Sequence, residues 1–121
     1  MTNEDIASIC HEVNRAFKAH LGELPDLPWA NLSADQRQPA ISMVEGYIAH
    51  PDVTPEQEHD RWCMEKLDAG WVYGPVKDAA MKIHPCLVPY RDLPADQRAK
   101  DVLHVAIVRA CLALDKEQVT A

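Results

Sequence analysis

The residues whose types and spacing could do chemistry are Trp71, Tyr73, Lys66, Lys77, Lys82, His84, Tyr90 and Arg91, most of them within the stretch Gly70–Tyr90. In an extended segment Trp71 and Tyr73, two residues apart, point to one face. An aromatic face stacked on a planar base contributes ~1–3 kcal/mol, and a nearby lysine or arginine pairs with phosphate. These residues therefore suit a small anionic ligand that carries a planar group. Trp71 and Tyr73 would stack, Lys66 and Lys82 would supply positive charge, and His84 and Tyr90 would shape the wall. The alternative is that Trp71 plugs the loop while Tyr73 hydrogen-bonds the backbone, and residue type alone leaves both readings open.

Other chemistries are less well supplied. His59 and Cys63 stand at i, i+4, and His84-Pro85-Cys86 lies downstream, which raises a His/Cys metal site. The spacings match no familiar zinc motif, so both histidines read as satisfied core residues and no metal or other cofactor is expected. There is no Ser/His/Asp pattern, Gly-rich phosphate loop or HExxH. His84 beside Cys86 could activate a thiol, but the flanking prolines and the apolar run Cys86-Leu87-Val88 favour a buried, inert one. The expectation is a binding protein, not an enzyme.

The elements that must hold these residues are helical. Ile6, Ile9, Val13, Phe17 and Leu21 recur at helical spacing over 3–21, with Thr2 as cap and Gly22 as stop. Residues 23–32, with Pro25, Pro28 and Trp29, form a loop strapped across the body, for which Trp29 is the anchor. Ser33-Ala-Asp-Gln opens a helix to about Ala49, with Pro39 either kinking it or beginning it. Thr54-Pro55-Glu56-Gln57 starts a helix to Asp68, after which Gly70 takes the C′ position. Gly70–Tyr90, broken by prolines 75, 85 and 89, folds as turns and short extended pieces. The last helix begins at Pro94, reaches about Leu114 and is the most apolar. Ala-Asp-Gln-Arg occurs at 34–37 and 95–98, both at helix starts, and reads as local convergence, not as a domain repeat.

A chain of 121 residues, 47% hydrophobic and 26% charged, is one globular unit. Its net charge of −7 argues against a nucleic acid polymer as partner, because phosphate binding needs clustered lysine and arginine. Between His59 and Lys100 the balance is nearly neutral, so a small anion is still acceptable there. The four cysteines form no CxxC pair, no signal-like segment is evident, and no apolar run approaches the ~18 residues of a membrane span. A cytoplasmic protein with reduced thiols and no membrane contact is expected.

Pro55-Glu56, His59, Trp62, Lys66, Gly70-Trp71-Val72-Tyr73-Gly74, Lys77-Asp78, Lys82, His84-Pro85, Leu87-Val88-Pro89-Tyr90, Leu93 and Lys100-Asp101 together resemble the RyR domain. That repeat, named from ryanodine receptors, also occurs in small free-standing bacterial and phage proteins. The resemblance covers roughly 53–114 and implies a mainly α fold, a small helical domain of about four helices with a short β-hairpin-like loop. Residues 1–52 would be an N-terminal helical extension packing on the core, and 115–121 a C-terminal tail. The resemblance further implies recognition of nucleotides or nucleotide-derived signals, while channel activity does not carry over. A second reading is a structural or interaction module, for which paired repeats in the receptors make a homodimer plausible.

Overall fold

Three of the four helices begin with the same reciprocal pair of hydrogen bonds, a consequence of a Ser or Thr placed three residues before Asp or Gln. The computed structural model describes the backbone of residues 1–120 and the side chains of residues 1–115. Helix α1 spans Asn3–His20, α2 Ala34–Ala49, α3 Pro55–Asp68 and α4 Ala95–Thr120. Thr2 caps α1 with Asp5, Ser33 caps α2 with Gln36, and Thr54 caps α3 with Gln57, each pair exchanging side-chain-to-amide bonds in both directions. Because Ser33 is the cap, α2 starts at Ala34 and Pro39 lies inside it. Two short strands, β1 (Val72–Tyr73) and β2 (Ile83–His84), and two 3-10 turns, Trp29–Asn31 and Tyr90–Asp92, complete the chain.

The chain falls into two compact units, residues 1–53 with 103–121, and residues 54–102. The core of the first is apolar. Ile6, Ala7 and Cys10 of α1 meet Val44 and Tyr47 of α2 and Val105, Val108 and Cys111 of α4, with Trp29 packed against them. The loop from Leu21 to Ser33 is strapped over this unit, as its prolines and Trp29 foretell. The Trp29 amide donates to Glu12 at 2.8 Å, Arg37 donates to the Trp29 carbonyl at 2.8 Å, and the Arg37 guanidinium lies 5.0 Å from the indole centre. Burial also pushes the Cys10 thiol up to about 12, with the neighbouring Cys111 thiol adding to the shift.

In the second unit α3 is joined by β1, β2, the Tyr90 turn and the start of α4. Its most buried side chains include Glu58, His59 and Leu93, so much of its interior is polar or aromatic. The expected mainly α fold of four helices is what the chain adopts, but its strands pair in a different sense from a hairpin. β1 and β2 are parallel, with Val72 opposite Ile83 and Tyr73 opposite His84. Nine residues, 74–82, lie between them and make an additional reversal, so that Asp78 and Ile83 form an antiparallel bridge beside the parallel pair. Gly74 is buried where this loop closes, and a Cβ there would lie 2.2 Å from Ile83 Cγ2. Residues 115–121, expected as a tail, are helical through Thr120, and Ala121 lies outside the described residues. Among the described residues no helix is long and apolar enough to cross a membrane.

Candidate functional site

The end of α3 sets the site. Leu67 and Lys66 have carbonyls that α3 itself leaves without partners, and they accept from the amides of Gly70 and Trp71 at 3.0 and 2.9 Å. This is the double-bonded helix stop that requires a left-handed residue, and Gly70 supplies it with φ of 91°. The stop folds Trp71 back over the last turn of α3. The Lys66 ammonium consequently lies 4.6 Å from the Trp71 ring centre and 6.0 Å from that of Trp62, one turn earlier on α3. Such contacts are worth about 0.5–2 kcal/mol.

His84 reaches the same place from β2. Its ring centre is 4.9 Å from that of Trp62, edge to face, and 6.2 Å from that of Trp71. Its Nδ1 accepts the Cys86 amide at 3.0 Å, so neutral His84 carries its ring proton on Nε2. Trp62 in turn stacks on His59 at 5.6 Å, and His59 lies 6.0 Å from Tyr90. Five rings and one ammonium thus form a continuous array, in which Trp62, Trp71, His84, Tyr90 and Lys66 are half-buried and His59 is buried.

The six residues proposed from sequence are placed differently from one another. Lys66, Trp71 and His84 come together. Tyr90 joins only through His59. Tyr73 is 58% exposed with no ring contact among the described residues, and the Lys82 ammonium donates to the Ala69 carbonyl at 2.7 Å, capping the end of α3. Lys82 also takes a left-handed backbone, φ 56°, in the turn that leads into β2. Trp62 is not among the residues that the sequence proposes for the site, yet it lies in the array. Its i, i+4 spacing from Lys66 is the signal that could have placed it there.

Chemistry around His59 is constrained by its bonds. The carbonyl of Val88 lies 2.7 Å from Nε2 and can only accept, so Nε2 donates. Nδ1 is then the nitrogen facing Asp101, 3.9 Å from Oδ2. Cys63 Sγ is 3.3 Å from Nε2. A nitrogen already donating its proton cannot take one from the thiol, and burial followed by the Asp60 and Asp101 charges pushes the Cys63 thiol above its ordinary range. Burial likewise pushes the Asp101 carboxyl up to about 6, against the opposing pull of His59. Among the described residues no group of three or more His, Cys, Asp or Glu is placed to hold a metal ion.

A family model for the RyR domain matches residues 39–117, more than half of the chain. The chain belongs to the RyR domain family. The matched stretch takes in α3, both strands and every member of the aromatic array, so the array is part of this RyR domain itself.

Proposed function

We propose that this RyR domain is a non-enzymatic binding module for a small anionic, nucleotide-like ligand. The observation that carries this reading is the Lys66 ammonium, which lies on two half-buried indoles with no carboxylate partner among the described residues. An ammonium held on aromatic faces retains its donors and most of its charge, so it offers phosphate a partner beside a surface on which a base can stack. The non-enzymatic part of the reading draws on His59, whose Nε2 proton is committed to Val88, and on the raised Cys63 thiol, which together offer no free base beside a ready nucleophile. Thermal shift against AMP, ADP, NAD and cyclic di-AMP tests the reading: stabilisation by at least one, lost in Trp71→Ala, supports it. No stabilisation by any of them at millimolar concentration contradicts it.

A second reading is a docking or self-association module. It draws on the exposed apolar side chains of β1 and the loop that follows it, Val72, Tyr73, Val76 and Met81, which are 54%, 58%, 75% and 69% exposed. Sedimentation equilibrium of wild type and Val76→Asp distinguishes it, since a dimer seated there dissociates in the variant.

A further inference from the structure

The string Ala-Asp-Gln-Arg at 34–37 and 95–98 is the end of a longer correspondence. Each copy follows a strap, Leu27-Pro28-Trp29-Ala30-Asn31-Leu32 before α2 and Val88-Pro89-Tyr90-Arg91-Asp92-Leu93 before α4. The straps share one backbone. Pro28 and Pro89 have φ/ψ of −55°/147° and −54°/145°, and Leu32 and Leu93 have −81°/141° and −70°/143°. The Asn31 and Asp92 amides donate to the proline carbonyls at 2.9 Å in both, and the Leu32 and Leu93 amides to Trp29 and Tyr90 at 3.1 Å in both.

A histidine on the preceding helix clasps each strap. His11 Nε2 donates to the Leu27 carbonyl at 2.7 Å with its ring 5.6 Å from Trp29. His59 Nε2 donates to the Val88 carbonyl at 2.7 Å with its ring 6.0 Å from Tyr90. Each histidine stands 11 residues before the left-handed glycine that ends its helix, Gly22 or Gly70. Convergence at two helix starts does not extend this far. The repeated tetrapeptide is therefore one part of a helix–strap–helix frame that the chain carries twice, and not a local coincidence.

The copies differ in what the frame holds. Four residues, 23–26, separate Gly22 from Leu27, whereas 17 residues, 71–87, separate Gly70 from Val88. Trp71 and His84 lie in that added length. Counting from the histidines, Trp62 stands where the first copy has Asn14, and Lys66 where it has Lys18. Lys18 is neutralised by Asp26 at 3.2 Å, while Lys66 lies on the indoles. What recurs is frame, and what does not recur is the array.

We infer that His59 and Tyr90 are positioning residues that clasp the strap, and that Trp62, Trp71, His84 and Lys66 form the face that touches an aromatic, phosphate-bearing ligand. The contact face rests on the ligand reading proposed above; the clasp does not. Tyr90 thereby moves from the wall of the site to its frame.

The test is amide hydrogen exchange together with titration of AMP, NAD and cyclic di-AMP. His59→Ala is expected to speed exchange at Asp92 and Leu93 by about tenfold or more while leaving Asn31 and Leu32 unchanged, and His11→Ala to do the reverse. His59→Gln, whose amide can donate to Val88, restores protection. Trp62→Ala is expected to lose about tenfold in affinity for any nucleotide that wild type binds. Unchanged exchange in His59→Ala, or unchanged affinity in Trp62→Ala, overturns the inference. Should His59→Ala not fold, failure of His59→Gln to protect the strap amides as wild type does overturns the clasp. If wild type binds none of the three, the contact face falls with the ligand reading, and the exchange results still decide the clasp.

Discussion

Trp71 and Lys66 are joined twice: the Trp71 amide donates to the Lys66 carbonyl at 2.9 Å, and the Lys66 ammonium lies 4.6 Å from the centre of the Trp71 ring. The first contact belongs to the helix stop and the second to the site, so the backbone feature that ends α3 also builds the aromatic–cationic face. Gly70 is the residue on which both depend.

Gly70→Ala is therefore expected to cost about 1–2 kcal/mol in urea unfolding, because φ of 91° is strained for any residue with a Cβ. Loss of the Trp71–Lys66 contact should accompany it, seen as a change in tryptophan emission under native conditions.

Gly74 and Gly46 make a contrasting pair. Gly74→Ala should destabilise by about 1–3 kcal/mol, since its Cβ would meet Ile83 Cγ2 at 2.2 Å. Gly46→Ala, inside α2 with nothing within 4 Å of the added carbon, should stabilise by up to about 1 kcal/mol. Chemical denaturation of the two variants checks both signs.

Asp101 gives a pH dependence of definite sign. Burial holds its folded carboxyl at about 6, above its ordinary 3.8, so the native state binds this proton more tightly than the unfolded chain does. Its contribution to stability is present below about pH 4 and is lost as pH rises through 6. Asp101→Asn should therefore be more stable than wild type at pH 7.5, by on the order of 1–3 kcal/mol, with the difference shrinking toward pH 4. Melting temperatures across that range test it.

The thiols of Cys10, Cys63 and Cys111 are all pushed up, chiefly by burial. In native protein at pH 8 they should react with an aromatic disulfide reagent at least about tenfold more slowly than in the unfolded chain. Rapid modification of Cys10 without unfolding would contradict its place in the core.

Local signals were legible in the sequence because their physics is local. Thr2, Ser33 and Thr54 cap the helices that their i+3 partners mark, and Gly22 and Gly70 stop the helices that precede them. The array was legible in part: Lys66, Trp71 and His84 meet, through a helix stop whose consequence for Trp71 follows from Gly70. What spacing alone does not determine is pairing at a distance. Nothing local distinguishes a hairpin from the parallel pairing of Val72 with Ile83, or sends the Lys82 ammonium to Ala69. The duplicated frame was hidden because a 13-residue difference in loop length shifts the straps relative to their histidines, leaving only Ala-Asp-Gln-Arg in plain view.

Calorimetric titration of wild type, Trp71→Ala and Lys66→Gln with the best nucleotide from the thermal screen decides whether Trp71 and Lys66 bind a ligand. Each variant is expected to lose about tenfold or more in affinity, stacking and charge pairing being worth ~1–3 kcal/mol, with melting temperatures within a few degrees of wild type. A Trp71→Ala variant that melts far lower yet binds as wild type does would place Trp71 in the structure and not in a binding site.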